Sequence, residues 1–452
     1  MRIGIEDSLY QSLTQTLIQE GHEVVMFVDD IPFDDLWPWK GVEYVRDRTE
    51  LLKSGCEFIV GAESIDGDVL AEARMRGVPV IGHDHSVVEL EMNRALAFDF
   101  VDSLGLPYFC TPTAKEFTDR QAAIKFLKTS KKDWVLKQHR SSPLGIIDQR
   151  TVVSRSFTKH QGAIALLSRD ASAWFTGDKG GVRLEEYVEG VEVCFGMMLS
   201  KSRCVYPAYW CQEYKDAQAS KSGVLTGEVG TLIGTIPLGA EGRIGEVFDA
   251  IASRLRAMGI TTSGMLDFNT IIAPDGKMYF IEFTSRWGRP TMDIQIAMSR
   301  NAKKPVIGNF LRDVAAGRST KFPYHYQTAL GVTVYEYGLP YREVLANRKA
   351  ADFKPPKVVS PRSSAVVPVF VDCSNRGHWV TMPSEGRYLV SVGLTRNNLQ
   401  EVGAKGWELR LNAYDPLRAE NFTPAQGMTW RHDIGDNLEK VVGAVVTQLG
   451  AL

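Results

Sequence analysis

GMLDFNTIIAPDGKMYFIEFTSRWGRP, residues 264–290, decides the fold. Two runs of bulky apolar residues flank the turn signal APDG at 273–276, so the stretch reads as an antiparallel hairpin. Each run carries one acid, Asp267 and Glu282. If Ile272 faces Lys277 across the turn, counting outward brings Asp267 opposite Glu282. Opposed residues project from one side of a sheet with Cβ atoms roughly 5 Å apart. Met278 and Phe280 share that side by alternation. Two carboxylates so placed repel each other and need a cation. Carboxylate oxygens with incomplete protein coordination suit magnesium (or manganese) carrying nucleotide phosphates. Thr284 adds a hydroxyl on the same side. Arg286, just past the strand end, is placed to hold a transferring phosphoryl group. The competing reading is an exposed hairpin whose two acids are solvated, with Arg286 pairing one of them.

The rest of the chain sets the frame for that hairpin. At 452 residues it is too long for one core, so two to four domains are expected. Apolar residues make up 44% and charged residues 23%, the balance of an ordinary globular protein. Lysine plus arginine (52) nearly equal aspartate plus glutamate (54), which argues against a globally basic nucleic-acid binder. The cysteines at 56, 110, 194, 204, 211 and 373 form no CxxC pair, so reduced, mostly buried thiols are expected. The opening MRIGIEDSLYQSL carries acids where a signal peptide needs an apolar run. No stretch approaches the ~20 apolar residues of a membrane span. The expected location is the cytoplasm, as a monomer or homodimer.

Strands and helices alternate through residues 1–88: RIGI, HEVVMFV, CEFIVGAE and VPVIGHD as strands, SLYQSLTQTLIQEG and DVLAEARMRG as helices. This indicates a small doubly wound α/β domain, with ligands at the strand carboxyl ends, near Glu6–Asp7, Gly61–Glu63 and Gly82–His85. One helix is expected over ELEMNRALAFDFVDSLG, 89–105. Next come the helix AAIKFLKTS, the strand DWVLKQH and the helix GAIALLSRD, then the strands RLEEYV and VEVCFGMML. Residues 212–235 lack periodicity and read as a loop, whose Gly223–Gly234 part could close over a substrate. RIGEVFDAIASRLRAMG is an amphipathic helix. ADFKPPKVVSP, 351–361, reads as a linker, and AVVPVFV, HWVTM, RYLVSVG and WELRLN as strands of a β-rich end.

Around the hairpin, further motifs fall in order. RLEEYVEGVEV (183–193), VLKQ (135–138) and NRALAFDF (93–100) resemble, with IEFTSRWG, the EEFLxGxE, lysine-strand, SKAFTKDF and IEFN-R-FG segments of the ATP-grasp ligases. The similarity is strongest to phosphoribosylamine–glycine ligase. It implies an ATP-grasp fold of mixed α/β and α+β class, with ATP and magnesium or manganese bound. The domains it implies are an N-terminal pre-ATP-grasp domain (1–88), an ATP-grasp domain (89–330, lid subdomain about 108–186) and a C-terminal β-rich domain (331–452). It places metal ligands on Asp267, Glu282 and Thr284, and phosphate contacts on Arg94 and Lys137. Adenine reading falls on the backbone of Glu185, Glu186, Tyr187 and Val188, and ribose on Glu192. Transition-state stabilisation falls on Arg286 and Lys137.

Departures from that family concern the substrates. Where it has the glycine-rich GNGGREHA, this chain has IEDSLYQSL, which cannot bring backbone N–H groups close to a phosphate. RFGDPE becomes RWGRPT, with Arg289 and Thr291 in place of two acids. The glycine-rich loop after the phosphate lysine becomes HRSSPLGII, with Ser141 and Ser142 as remaining donors. The expected activity is therefore a carboxylate–amine ligase acting on other small-molecule substrates. Glu6 or Asp7 would contact an ammonium or a sugar hydroxyl, Glu63 is a further substrate candidate, and Arg286 with Arg289 suits the carboxylate. Alternatives are the purine enzyme itself, a kinase-like phosphoryl transferase, or a non-catalytic ATP-binding scaffold. His83–Asp84–His85 reads as a hydrogen-bonded loop in preference to a metal triad.

Overall fold

In the computed structural model the described residues are 1–6, 11–27, 41–61, 67–138, 151–169, 180–219, 222–225, 228–300, 306–318, 320–336, 352–353, 364–368, 371–373, 379–381, 387–418 and 428–450. They divide into two compact units. The first comprises Met1–His85, Val193–Asp267 and Ser285–Leu452, and the second Ser86–Glu192 and Phe268–Thr284.

The first unit opens with five parallel strands in the order Val42–Val45, Glu23–Phe27, Arg2–Ile5, Phe58–Val60, Val80–Ile81. Continuous apolar runs such as Val24, Val25, Met26 and Phe27 are buried throughout, as a parallel sheet covered on both faces requires. This is the doubly wound arrangement that the alternation implies. The unit also holds an antiparallel sheet in the order Ser364–Pro368, Arg387–Thr395, Thr328–Glu336, Gly230–Ile236, Arg203–Glu213, Val191–Ser200, followed by the first half of Gly264–Ile272. Helix Gln11–Gln19 is tied to distant chain: Ser12 donates to Asp293, and just beyond the helix the Glu20 carboxylate accepts the N–H groups of Val306, Ile307 and Gly308 at 2.7, 2.9 and 2.8 Å.

The second unit is built on four antiparallel strands in the order Ala114–Phe117, Val182–Glu186, Trp134–Gln138, Val152–Ser154. One face buries Trp134, Leu136, Val182 and Leu184 against helices Arg120–Thr129 and Gln161–Arg169. The unit also contains helix Arg94–Asp102, the hairpin strand Met278–Thr284, and Phe109–Cys110 pairing in parallel with that strand.

Four sequence expectations need correction. The helix expected over 89–105 is two, His85–Met92 and Arg94–Asp102, because Asn93 leaves helical geometry (φ −116°, ψ 98°) and its side chain accepts the Leu96 N–H as an N-cap. Residues 212–235 are not one loop: Arg203–Glu213 runs into them, Asp216–Gln218 pairs with Ser222–Leu225, and Gly230–Ile236 is an inner strand. WELRLN lies inside helix Leu399–Arg418, where burial follows Leu409, Ala413, Tyr414 and Leu417 while Trp407 and Leu411 are exposed. Finally, the APDG turn carries one more residue than a simple two-residue loop. Gly276 N–H donates to Ala273 O and Ala273 N–H to Lys277 O, both at 2.9 Å, with Gly276 at φ +79°. A left-handed glycine of this kind is a bulge residue. Ala273, not Ile272, therefore faces Lys277 at the turn. Most of the expected linker 351–361 lies outside the described residues.

Candidate active site

In the second unit, Glu282 meets Arg94. Its Oε2 accepts from Arg94 Nη1 at 3.0 Å, with Arg94 buried and the Glu282 side chain 26% exposed. The helix carrying Arg94 is pinned to the hairpin strand by edge-on aromatic pairs, Phe98 with Phe280 (5.7 Å) and Phe100 with Phe283 (5.8 Å). Burial along that strand alternates through Met278 and Phe280 and then lapses: Phe283 is buried, while Glu282 and Thr284 are half-buried.

The polar face of the four-stranded sheet holds a network that the register generates. Arg183 lies directly opposite both Lys137 and Glu116, and Glu185 is two residues farther on the same face. Lys137 Nζ reaches Glu185 Oε2 at 2.7 Å, Arg183 Nε reaches Glu185 Oε1 at 3.1 Å, and Arg183 also pairs with Glu116. Lys137, Arg183 and Glu185 are all buried, and the Arg183 guanidinium sits 4.1 Å from the centre of the Phe98 ring. Buried charges are tolerated only when paired in this way. Lys137 was foreseen as a cation; Arg183 was missed, although the alternation of Val182 and Leu184 with Arg183 and Glu185 is legible.

Past Glu185 the backbone narrows what can read an adenine edge. The Glu186 N–H is taken by Thr113 O (2.8 Å) and the Tyr187 N–H by Asp133 O (3.0 Å). Among the described residues no backbone carbonyl takes the Val188 N–H. Glu186 pairs with Lys132, and the Tyr187 ring lies 3.8 Å from the Arg155 guanidinium. Glu192 is exposed.

In the first unit, Asp267 is buried where strand Val191–Ser200 has a glycine. A Cβ at Gly196 would overlap both Asp267 Oδ1 and the Tyr209 ring. Burial, with the Asp267 charge next, pushes the Tyr209 phenol well above 10, so it stays protonated. Arg286 and Arg289 are half-buried. Glu6 is buried at the end of its strand, with its N–H on Val60 O (3.0 Å). A Cβ at Gly61 would come 3.1 Å from Glu6 Oε2. His83 is a buried structural group: its ring nitrogens lie 2.9 Å from Thr262 Oγ1 and 2.7 Å from Met265 O, and burial pushes its pKa down to about 4. Asp7, Glu63, Ser141 and Ser142 lie outside the described residues. Cys56, Cys110, Cys194, Cys204 and Cys211 are free thiols, and only Cys194 and Cys211 are fully buried. Among the described residues no helix is long and apolar enough to cross a membrane.

Comparison with known proteins supplies the context. Residues 93–292 match the family described as phosphoribosylglycinamide synthetase, ATP-grasp (A) domain. Phosphoribosylamine–glycine ligase of Neisseria meningitidis serogroup B is 24% identical over 388 residues, covering 84% of this chain and 83% of that protein. The Pyrococcus furiosus enzyme of the same name is 24% identical over 255 residues, and the match spans only about half of each, 55% and 55%. The crystal structure of phosphoribosylamine–glycine ligase from Thermotoga maritima superposes with a TM-score of 0.69 at 20% identity, covering 96% of this chain and 100% of that one. The biotin carboxylase domain of Hydrogenobacter thermophilus 2-oxoglutarate carboxylase, solved with MgADP and bicarbonate, gives 0.65 at 12%, covering 98% and 93%. Together with the strands and helices described above, these matches show an ATP-grasp fold, in which residues 93–292 are similar to the phosphoribosylglycinamide synthetase A domain.

Proposed function

We propose that the protein is an ATP-dependent carboxylate–amine ligase that forms an amide bond and releases ADP and phosphate. The observation that carries this reading is the Arg94–Glu282 pair, a buried cation against a half-buried carboxylate at the IEF strand end. It supports a site where anionic phosphate and a divalent cation are both accommodated. Arg94 is shown on Glu282 Oε2, and a carboxylate has two oxygens able to accept. Glu282 and Thr284 would hold magnesium. Asp267 takes the same role from its matching sequence position, and its buried carboxylate in a glycine-made space fits a cation ligand. Magnesium supplies charge neutralisation of the triphosphate.

The chain's own residues do the rest of the work. Arg94 and Lys137 offset phosphate charge. The Val188 N–H reads the adenine edge and Glu192 accepts ribose hydroxyls. A substrate carboxylate oxygen attacks the γ-phosphorus, ADP leaves, and Arg286 stabilises the developing charge. The amine nitrogen then attacks the acyl carbon, phosphate leaves, and the nitrogen loses a proton. We read the chain as three domains (1–88, 89–330 and 331–452). The glycine-free stretch after the first strand favours an amine acceptor without a phosphate, facing Glu6. Arg289 with Arg286 favours an amino-acid carboxylate as donor.

Mass spectrometry of products from a carboxylate and amine library with ATP tests the proposal. Release of ADP should require both substrates and accompany a new amide. Glu282→Gln should lower that rate by about 100-fold or more, the scale of losing one pre-organised electrostatic group. ATP hydrolysis indifferent to both substrates would sink the ligase reading. Efficient turnover of phosphoribosylamine with glycine would sink the proposed change of substrate.

A further inference from the structure

On the antiparallel sheet of the first unit, Cys194 lies directly opposite Cys211. Opposed residues share one face of a sheet. Glu213, two residues beyond Cys211 on strand Arg203–Glu213, projects from that same face. The two sulfurs and a Glu213 carboxylate oxygen accordingly all lie within 4.8 Å of one another, the one group of three such donors among the described residues. Nothing in the ligase chemistry above uses them.

The donor set has a definite preference. Two thiolates with one carboxylate suit a thiophilic divalent cation of the zinc class, whereas magnesium takes oxygen ligands alone. Both thiols are buried, so approach is from the side of Glu213, which is half-buried. Lys215 Nζ already stands 2.8 Å from Glu213 Oε2. Two thiolates and a carboxylate outweigh a divalent ion by one negative charge, and that ammonium is placed to offset it.

We propose that Cys194, Cys211 and Glu213 bind one zinc-class cation, with water at the fourth position. Each thiol gives up its proton as its sulfur becomes a ligand. The site clips strand Val191–Ser200 to strand Arg203–Glu213 one step along the face from Tyr209.

Titration of the reduced full chain with cobalt(II), followed by absorption spectroscopy, tests the site. One equivalent should bind and give a thiolate-to-cobalt charge-transfer band. Cys194→Ser and Cys211→Ser should each abolish the band, and Glu213→Gln should weaken binding by about tenfold or more. Glu282→Gln should leave the band intact, so failure of the ligase reading is distinguishable from failure of this one. A wild-type chain that gives no thiolate band overturns the proposal without recourse to variants. A band that survives both serine variants overturns it too. So does a Cys194–Cys211 disulfide whose reduction yields no cobalt binding.

Discussion

At the scale of single residues, Arg183 holds two acids at once. Glu185 and Glu116 both lean on it, whereas Lys137 meets, among the described residues, Glu185 alone. Removing one partner of a buried pair costs roughly 3–5 kcal/mol when the other charge is stranded. Lys137→Met leaves Glu185 with Arg183, so its loss should fall below that range. Arg183→Leu leaves Glu185 with Lys137 but also removes the pair with exposed Glu116 and the contact with the Phe98 ring, so it should cost more than Lys137→Met in urea unfolding. The reverse order would show that the network is not organised around Arg183. Gly196 is the second informative position. Gly196→Ala must displace the Asp267 carboxylate or the Tyr209 ring. A loss of about 1–3 kcal/mol is expected, the usual cost of overpacking a core, together with weaker magnesium dependence of turnover. An alanine variant of unchanged stability would mean that the strand yields there.

At the scale of elements, the short strand end at Gly82 and His83 is fastened by one imidazole. Folded His83 titrates near 4, against about 6.5 when unfolded. Below 6.5 the unfolded chain therefore binds more protons. Stability is complete above that pH and is lost as the pH falls toward 4, by at most about 3 kcal/mol. His83→Gln should flatten this part of the stability–pH curve, measured as the urea midpoint from pH 7 to 4. The elements that sequence reading found are those with strong local signals: the parallel strands Arg2–Ile5 and Glu23–Phe27, the helix Gly242–Ala257, and the hairpin strands either side of APDG. It missed Gly230–Ile236 because glycines and threonines fill a strand whose partners on both sides supply its stability. WELRLN misled because Trp407, Leu409 and Leu411 alternate like a strand, while only Leu409 of the three is buried. The pairing at the turn moved from Ile272 to Ala273 opposite Lys277, since a left-handed glycine such as Gly276 can either close a turn or add a residue to one strand. Glu282, Arg94 and Lys137 were legible because motifs mark them. Their partners were not, because a pairing such as Arg94 with Glu282 spans distant sequence.

At the scale of the whole molecule, the helix Ile307–Ala316 begins on a carboxylate contributed by Glu20. Three N–H groups and the positive end of the helix dipole converge on it. Glu20→Gln should destabilise the first unit by about 1–3 kcal/mol, the range for a hydrogen-bonded charged group. Hydrogen exchange should show earlier opening at 306–308 than at Lys137. Equal exchange at both would mean that loss of the carboxylate does not loosen the start of this helix.

The same contact orders events during synthesis. The first helix emerges from the ribosome long before its anchor, since Ser12 waits for Asp293 and Glu20 for residues 306–308. Contacts so far apart in sequence close late and slow folding. A nascent chain stopped before the Ile307–Ala316 helix should leave the amino-terminal strands open to protease, and one released beyond it should resist digestion.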